Sequence, residues 1–278
     1  MTSTLTPEIE TVMHGPFTFY PVTVIRTQYV TPKMLRITFG GENVAKMISL
    51  GPVDDVRIQF PETFGVVPMP PVVSFEPFRL DYPDDAPPSY IRAYTIRRLD
   101  LETGEVDIDF AIHGHGQASS WAEQASAGQI VCIGGPFRSI VAKAFSRVLL
   151  AGDETGLPGL GRAIEELPPD TRATVVIEIA NASEEQQFPA NDNVDLRWVH
   201  RNDWDGEGMS PLEAAVREVE IPESSCLVLI TGESGSVRGI RRYLINERGL
   251  DKTWAYFVGY WKRGAKADDP HDHDEDED

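Results

Sequence analysis

The stretch Arg92-Ala93-Tyr94-Thr95-Ile96-Arg97 places an aromatic ring beside a hydroxyl, between two guanidinium groups, in a run with strand-like composition. Asp109-Phe110-Ala111-Ile112-His113-Gly114 follows with the same texture, and Gly116-Gln117-Ala118-Ser119-Ser120-Trp121 then turns towards a helical pattern. On a strand, Arg92, Tyr94 and Ile96 share one face and Ala93, Thr95 and Arg97 the other, unless a bulge intervenes. A tyrosine ring can pack on a flat heterocycle, a threonine hydroxyl can bond a ring heteroatom, and an arginine can make paired charge-assisted bonds to phosphate. The set suits a cofactor with both a flat ring and a phosphate, a description that a flavin meets. Taken alone, the hexapeptide suits a plain barrel strand with exposed arginines equally well.

Working outward, Tyr20 to Tyr29, Leu35 to Gly40, Asp55 to Phe60, Tyr90 to Arg97, Glu105 to His113 and Gln129 to Gly135 are short β-branched and aromatic segments separated by Gly, Pro and Asp. Their number and spacing predict a six-stranded antiparallel barrel. Pro61 to Pro88 holds eight prolines and is expected to be mostly loop. From Arg147 the texture changes. Strands at Val148 to Ala151, Ala173 to Ile179, Val194 to His200, Cys226 to Thr231 and Ala255 to Tyr260 alternate with helices. Those helices are expected at Leu157 to Leu167, Pro211 to Val219 and Val237 to Arg248, the last closed by Gly249 at C′. Alternation of this kind implies a parallel sheet with right-handed crossovers, an α/β domain of nucleotide-binding type. The expected organisation is a barrel domain over 17–145, an α/β domain over 146–264 and a disordered acidic tail over 265–278.

The net charge is −19, and the run Asp268 to Asp278 holds eight of those charges, so the body carries −11. Such a surface repels nucleic acid. The tail has too few apolar residues to fold, and its His271 and His273 read as part of a solvated segment rather than as metal ligands. Cys132 and Cys226, the only cysteines, sit in apolar runs without metal-ligand spacing. They read as core residues, too few to hold an iron–sulfur cluster. No apolar run approaches the roughly 20 residues of a membrane span, and Met1 to Phe19 lacks the pattern of a secretory signal. A cytoplasmic protein without membrane insertion is expected.

Ser119 or Ser120 is a candidate N-cap for the helix that follows, whose free amides would receive a diphosphate. His113 and His115, separated by glycine and without a third ligand nearby, do not make a metal site. In Leu150-Ala151-Gly152-Asp153-Glu154-Thr155-Gly156-Leu157-Pro158 a strand runs into a helix, with Thr155 as candidate N-cap and Pro158 in the first turn. The dinucleotide fingerprint of three spaced glycines is absent. Asp153 and Glu154 would repel a phosphate, so a pyridine nucleotide would approach past Thr155 and Gly156. By itself this loop suits a structural turn as well.

Together, these segments resemble the siderophore-interacting protein family, FAD-dependent ferric-siderophore reductases of the ferredoxin-NADP reductase superfamily. The resemblance also rests on Gly134-Gly135-Pro136, Gly232-Glu233-Ser234, Arg238 with Arg241-Arg242-Tyr243-Leu244, and Gly259-Tyr260-Trp261-Lys262-Arg263-Gly264. It implies that Arg92, Tyr94 and Thr95 hold FAD, with Arg97 and Asp109 in the same set, that His113 and Gly114 line it, and that Ala118, Ser119 and Ser120 receive its phosphates. It further implies that Asp153, Glu154, Thr155, Gly232 and Glu233 border the reduced pyridine nucleotide, and that Tyr260 and Trp261 lie near the flavin ring. Basic residues that attract anionic siderophores would be Arg57, Arg138 and Arg263, with Lys262 and Lys266 beside them. Two departures stand out. Gly156 replaces the usual alanine, and Asp54-Asp55-Val56-Arg57 carries a second acid where histidine is frequent.

The implied activity passes electrons from NADPH or NADH, with reduced ferredoxin as a further candidate donor, through flavin to a ferric siderophore, releasing Fe(II) for iron assimilation. It requires no resident metal and no catalytic acid or base, and no catalytic residue is assigned. Arg197 and Arg201 could take a 2′-phosphate, opposed by Glu184 and Glu185, which leans only weakly towards NADPH. The alternatives are a flavin reductase of the same fold serving a quinone or an electron-transfer protein, and a binding protein that carries FAD or siderophore without turnover.

Overall fold

The computed structural model describes residues 6–114, 116–189, 192–221 and 226–265. His115, Lys266 and the acidic tail with His271 and His273 lie outside them. The chain divides into two compact units, one spanning Thr11–Val141 and the other built from the residues up to Glu10 and those from Ala142 onward.

The first half of the chain runs β1 (Glu8–Met13), β2 (Phe19–Thr31), β3 (Met34–Gly40), β4 (Asp55–Pro61), β5 (Val72–Phe75), β6 (Phe78–Asp81), β7 (Ser89–Asp100), β8 (Glu105–Ala111), α1 (Gln117–Gln124), β9 (Ile130–Gly134) and β10 (Arg138–Lys143). Strands β2-β3-β8-β7-β4-β9 close a barrel, and every expected strand of the first domain is one of its staves. All its pairings are antiparallel. The alternating inward residues, among them Ile37, Phe39, Ile58, Phe60, Ile96, Ile108 and Phe110, form a dry core that Trp121 of α1 also enters. Along β7 the alternation holds from Arg92 to Ile96 and breaks at a bulge between Ile96 and Arg98.

Pro61 to Pro88 is more structured than its prolines suggest, because β5 and β6 pair as a hairpin within it. Pro77 falls in the turn between Phe75 and Phe78, where its missing amide costs no ladder bond, and the strands themselves are proline-free.

The second half runs β11 (Arg147–Gly152), α2 (Leu157–Glu165), β12 (Arg172–Ile179), β13 (Val194–His200), α3 (Pro211–Arg217), β14 (Cys226–Glu233), α4 (Ser234–Arg242) and β15 (Ala255–Trp261). The five strands are parallel in the order β13-β12-β11-β14-β15. Leu149, Ala151, Val176, Val228 and Ile230 form one apolar layer with Leu212 and Val216 of α3 and Val237 and Ile240 of α4. Chain order reverses between β11 and β14, and in open sheets of this type ligands bind at the carboxyl ends beside that switch point.

The third helix departs from its expected limits. Glu233 caps it, its carboxylate accepting from Ser236 N, so α4 begins at Ser234 and widens into a π-helical turn at Tyr243–Glu247. Gly249, at φ 67°, closes it as expected, with Leu250 N bonded to Leu244 O. Cys132 and Cys226 are buried, and desolvation pushes both thiols up to about 11.

Candidate functional site

In the barrel unit, β7 and α1 bring the predicted phosphate ligands together. Arg92 extends from β7 to the helix start, where Nη2 donates to Gln117 Oε1 at 3.3 Å, and its guanidinium lies 5.2 Å from the centre of the Tyr90 ring. Neither Ser119 nor Ser120 is the N-cap. Gly116 takes that position at φ 85°, a conformation open to glycine, and the helix starts at Gln117. The two serines therefore belong to the first turn, in which Ser120 N already bonds Gly116 O at 3.1 Å, whereas the amides of Gln117, Ala118 and Ser119 precede the first helical bond. Ser119 is 4% exposed, and its Oγ is buried without a hydrogen-bond partner. A buried, unsatisfied hydroxyl beside free amides and an arginine fits a phosphate group. Through Gly116, Gln117 and Ser120 the helix start borders a cleft of about 420 Å³, walled on its other sides by Glu62, Phe64 and Tyr90. Burial raises the Tyr90 hydroxyl to about 12 against the pull of Arg92, so the phenol stays neutral.

Tyr94 packs its ring 4.3 Å from that of Phe110 and 6.1 Å from that of Phe60, and burial raises its hydroxyl well above the usual range. Thr95 is buried, His113 is exposed, and Gly114 adopts φ 74°. Arg97 and Asp109 belong to a network in the barrel wall that also includes Arg36. Arg36 grips Asp109 with two bonds of 2.6 and 2.8 Å, while Arg97 Nε stands 4.0 Å from Asp109 Oδ2. Arg36 went unseen in the sequence. Only the β3–β8 register, which sets Arg36 opposite Asp109, reveals it.

In the other unit Asp153, 3% exposed, organises the carboxyl end of the sheet. Its Oδ1 accepts from Thr155 N and Oγ1 at 2.8 and 2.6 Å, and its Oδ2 accepts from Glu233 N and Trp261 Nε1, both at 2.8 Å. One carboxylate thus ties the ends of β11, β14 and β15 at the switch point. Burial, then the adjacent Glu154, push it up to about 6 against the pull of its donors. Thr155 is consumed by this turn and does not cap α2. Gly156 does so, at φ −81°, with Pro158 in the first turn as expected. Nor does Glu154 present bare charge to a phosphate, because Arg201 bonds both it and Glu178. The candidate 2′-phosphate ligands are accordingly paired, Arg201 as described and Arg197 with Asp195. Glu185 bonds His200.

Gly156 has a local cause. A Cβ there would overlap Thr231 Oγ1, itself buried and without a partner. Gly156→Ala is expected to cost about 1–3 kcal/mol through overpacking, and Thr231→Ala in the same chain to recover most of it. Urea unfolding of the two single variants and the double variant measures the coupling, and additive losses would refute the contact.

The basic residues differ in what they hold. Arg57, on β4, is paired with Asp55. Arg138 is exposed, and among the described residues no carboxylate pairs with it. Lys262 is exposed. Arg263 lies 4.8 Å from the Trp204 ring centre and 5.7 Å from that of Trp261. Trp204 lies in a turn-rich segment with no periodicity to single it out. Tyr260 and Trp261 are half-buried on β15, the Trp261 indole N–H committed to Asp153.

A family model described as the siderophore-interacting FAD-binding domain matches residues 23–140, and one described as siderophore-interacting protein matches 145–264. Ferric vibriobactin reductase of Vibrio cholerae is 26% identical over 255 residues, which cover 89% of this chain and 91% of that protein. The NADPH-dependent ferric-chelate reductase of Escherichia coli is 27% identical over 261 residues, 92% of this chain and 98% of its own. A siderophore utilization protein from T. fusca superimposes with a TM-score of 0.82 at 32% identity, covering 94% of this chain and 98% of that structure.

Proposed function

Because the chain belongs to the siderophore-interacting protein family, we propose that it is an FAD-dependent reductase that takes electrons from NADPH or NADH and delivers them to Fe(III) held by a siderophore. The observation that carries this reading is the meeting of Arg92 with the first turn of α1, beside the unsatisfied Ser119 hydroxyl. Relatives named for ferric reduction, matched over most of their length, support the same reaction class.

When bound, FAD would supply the change from a two-electron donor to a one-electron acceptor. The chain's own residues would bind and orient. Arg92, the α1 amides and Ser119 would hold the diphosphate, and Tyr94 and Thr95 would border the ring system. At the switch point, the turn from Asp153 to Gly156 and Gly232-Glu233 would receive the pyridine nucleotide. Arg138 with Arg57 on the barrel unit, and Arg263 with Lys262 on the other, would each supply local positive charge that attracts an anionic chelate, and the side chains of Arg138 and Arg263 meet no carboxylate among the described residues. Surface charge beyond about 8 Å is largely screened at physiological ionic strength, so local arginines can prevail over a net charge of −19. Fe(III) is a hard ion that oxygen chelators bind tightly, and Fe(II) is held far less well, so reduction would free the metal.

The test is spectroscopic and then kinetic. The purified protein should show the absorption of oxidised flavin, bleach anaerobically with NADH or NADPH, and recover colour on addition of a ferric chelate. Reoxidation by a quinone but by no ferric chelate would sink the proposed acceptor, and absence of bleaching by either nucleotide would sink the donor. Replacing Arg57, Arg138 and Arg263 together with glutamine is expected to raise KM for anionic ferric chelates several-fold while leaving flavin content intact.

A further inference from the structure

We infer that Trp204 is a positioning residue for anionic chelates, holding the Arg263 guanidinium by its face so that its N–H edge is left for the ligand. This rests on the proposed function and adds to it a residue far from the others in sequence. The loop from Arg201 to Ser210 leaves the carboxyl end of β13, at one edge of the sheet, whereas Arg263 follows β15 at the opposite edge. Strands in a sheet stand about 4.8 Å apart, so the contact bridges four strand spacings, on the order of 19 Å. Arg201, bonded to Glu154 and Glu178, anchors the start of the loop over β11 and β12. Beyond it, Gly206 at φ 92° brings main chain so close to Arg263 that a Cβ would stand 2.8 Å from Nη1. Trp204 is itself held, its Nε1 donating to Glu207 O at 2.9 Å.

The surroundings of Arg263 differ from those of most arginines in this chain. Arg26, Arg36, Arg98, Arg201 and Arg217 each grip a carboxylate. Acids outnumber Lys and Arg by 44 to 25. Arg263 nevertheless has no carboxylate partner among the described residues. Glu233, which meets the Arg263 main chain, accepts from Arg263 N at 3.1 Å and from Ser236 N at 2.9 Å. A guanidinium packed over an indole uses no N–H donor in that contact and keeps its donors for a planar anion such as a catecholate or carboxylate.

The inference predicts that Trp204→Ala raises KM for a ferric tris-catecholate about two- to fivefold, the range a cation–π contact at an exposed site supplies. The kcat at saturating chelate should not move, and Trp204→Phe should recover part of the loss. In the R263Q background, Trp204→Ala should add nothing. Equilibrium binding of gallium(III) tris-catecholate, which is not reduced, followed by indole fluorescence, separates this inference from the reaction itself. If the wild type binds the gallium complex and W204A or W204F binds it more weakly, the positioning role stands even where no ferric chelate is turned over. Unchanged binding in both variants, a Trp204→Ala loss that persists in the R263Q background, or no binding by the wild type overturns it. Far-ultraviolet dichroism and flavin content report the folding of each variant, and W204F serves where W204A does not fold.

Discussion

Arg92→Ala is expected to weaken FAD binding about ten- to a hundredfold, so that the purified variant loses its yellow colour on gel filtration. Bonds from an arginine to a charged group contribute about 1.5–3 kcal/mol, and paired bonds to phosphate lie at the strong end. Arg92 is the basic side chain that reaches the first turn of α1, through Gln117. Without it the helix amides and Ser119 would face the diphosphate with no compensating cation. Fluorescence titration of the flavin-free protein gives the change in Kd. Arg98→Ala is the control, because Arg98 is spent on Asp100, Glu105 and Asp107 further along the same strand and should leave the affinity unchanged. Equal losses in the two variants would mean that Arg92 acts through barrel stability alone.

The second large effect is on stability. Asp153→Ala is expected to lower the unfolding free energy by about 4 kcal/mol, because it deprives Thr155 N, Thr155 Oγ1, Glu233 N and Trp261 Nε1 of their acceptor. Each buried donor left unsatisfied costs about 1–3 kcal/mol, and relaxation recovers part of the sum. The pH profile separates this carboxylate from its neighbours. Its folded value, about 6, lies above the ordinary 3.8, so the folded chain holds the proton more tightly than the unfolded chain. The resulting stabilisation is fully present below about pH 4 and is lost as pH rises through about 6. Urea unfolding between pH 4 and 7 should show that slope in the wild type, and Asp153→Ala should abolish it. A loss below about 1 kcal/mol would mean that the three strand ends are held by other contacts.

Most of the architecture was legible in the sequence. Tyr90 to Arg97 reads as a strand because its composition is local information, and all six expected segments became barrel staves. Gly249 announced the end of the last helix because few other residues adopt its positive φ without strain. Caps were less legible. Thr155, Ser119 and Ser120 have good capping side chains, yet glycines occupy both positions. Thr155 bonds Asp153 instead, and the serines sit within the first turn of α1. The hairpin within Pro61 to Pro88 was hidden because proline counts report on the whole stretch, whereas pairing depends on the few residues between the prolines.

What the chain determined by itself is its division into an antiparallel barrel and a parallel sheet, with the order of motifs that identifies its family. The division follows from periodicity and turn chemistry, which act over a few residues, and the family from the resemblance carried by the motifs and shown by the matching family models. What only the tertiary structure decided is the state of each charge. Whether an arginine is spent or available depends on which carboxylate register and loop path bring within about 3 Å of it. Arg36 meets Asp109 through strand pairing, and Arg201 meets Glu154 across the end of the sheet. Arg263 meets an indole that arrives from the far edge of the same sheet, and no carboxylate among the described residues pairs with it.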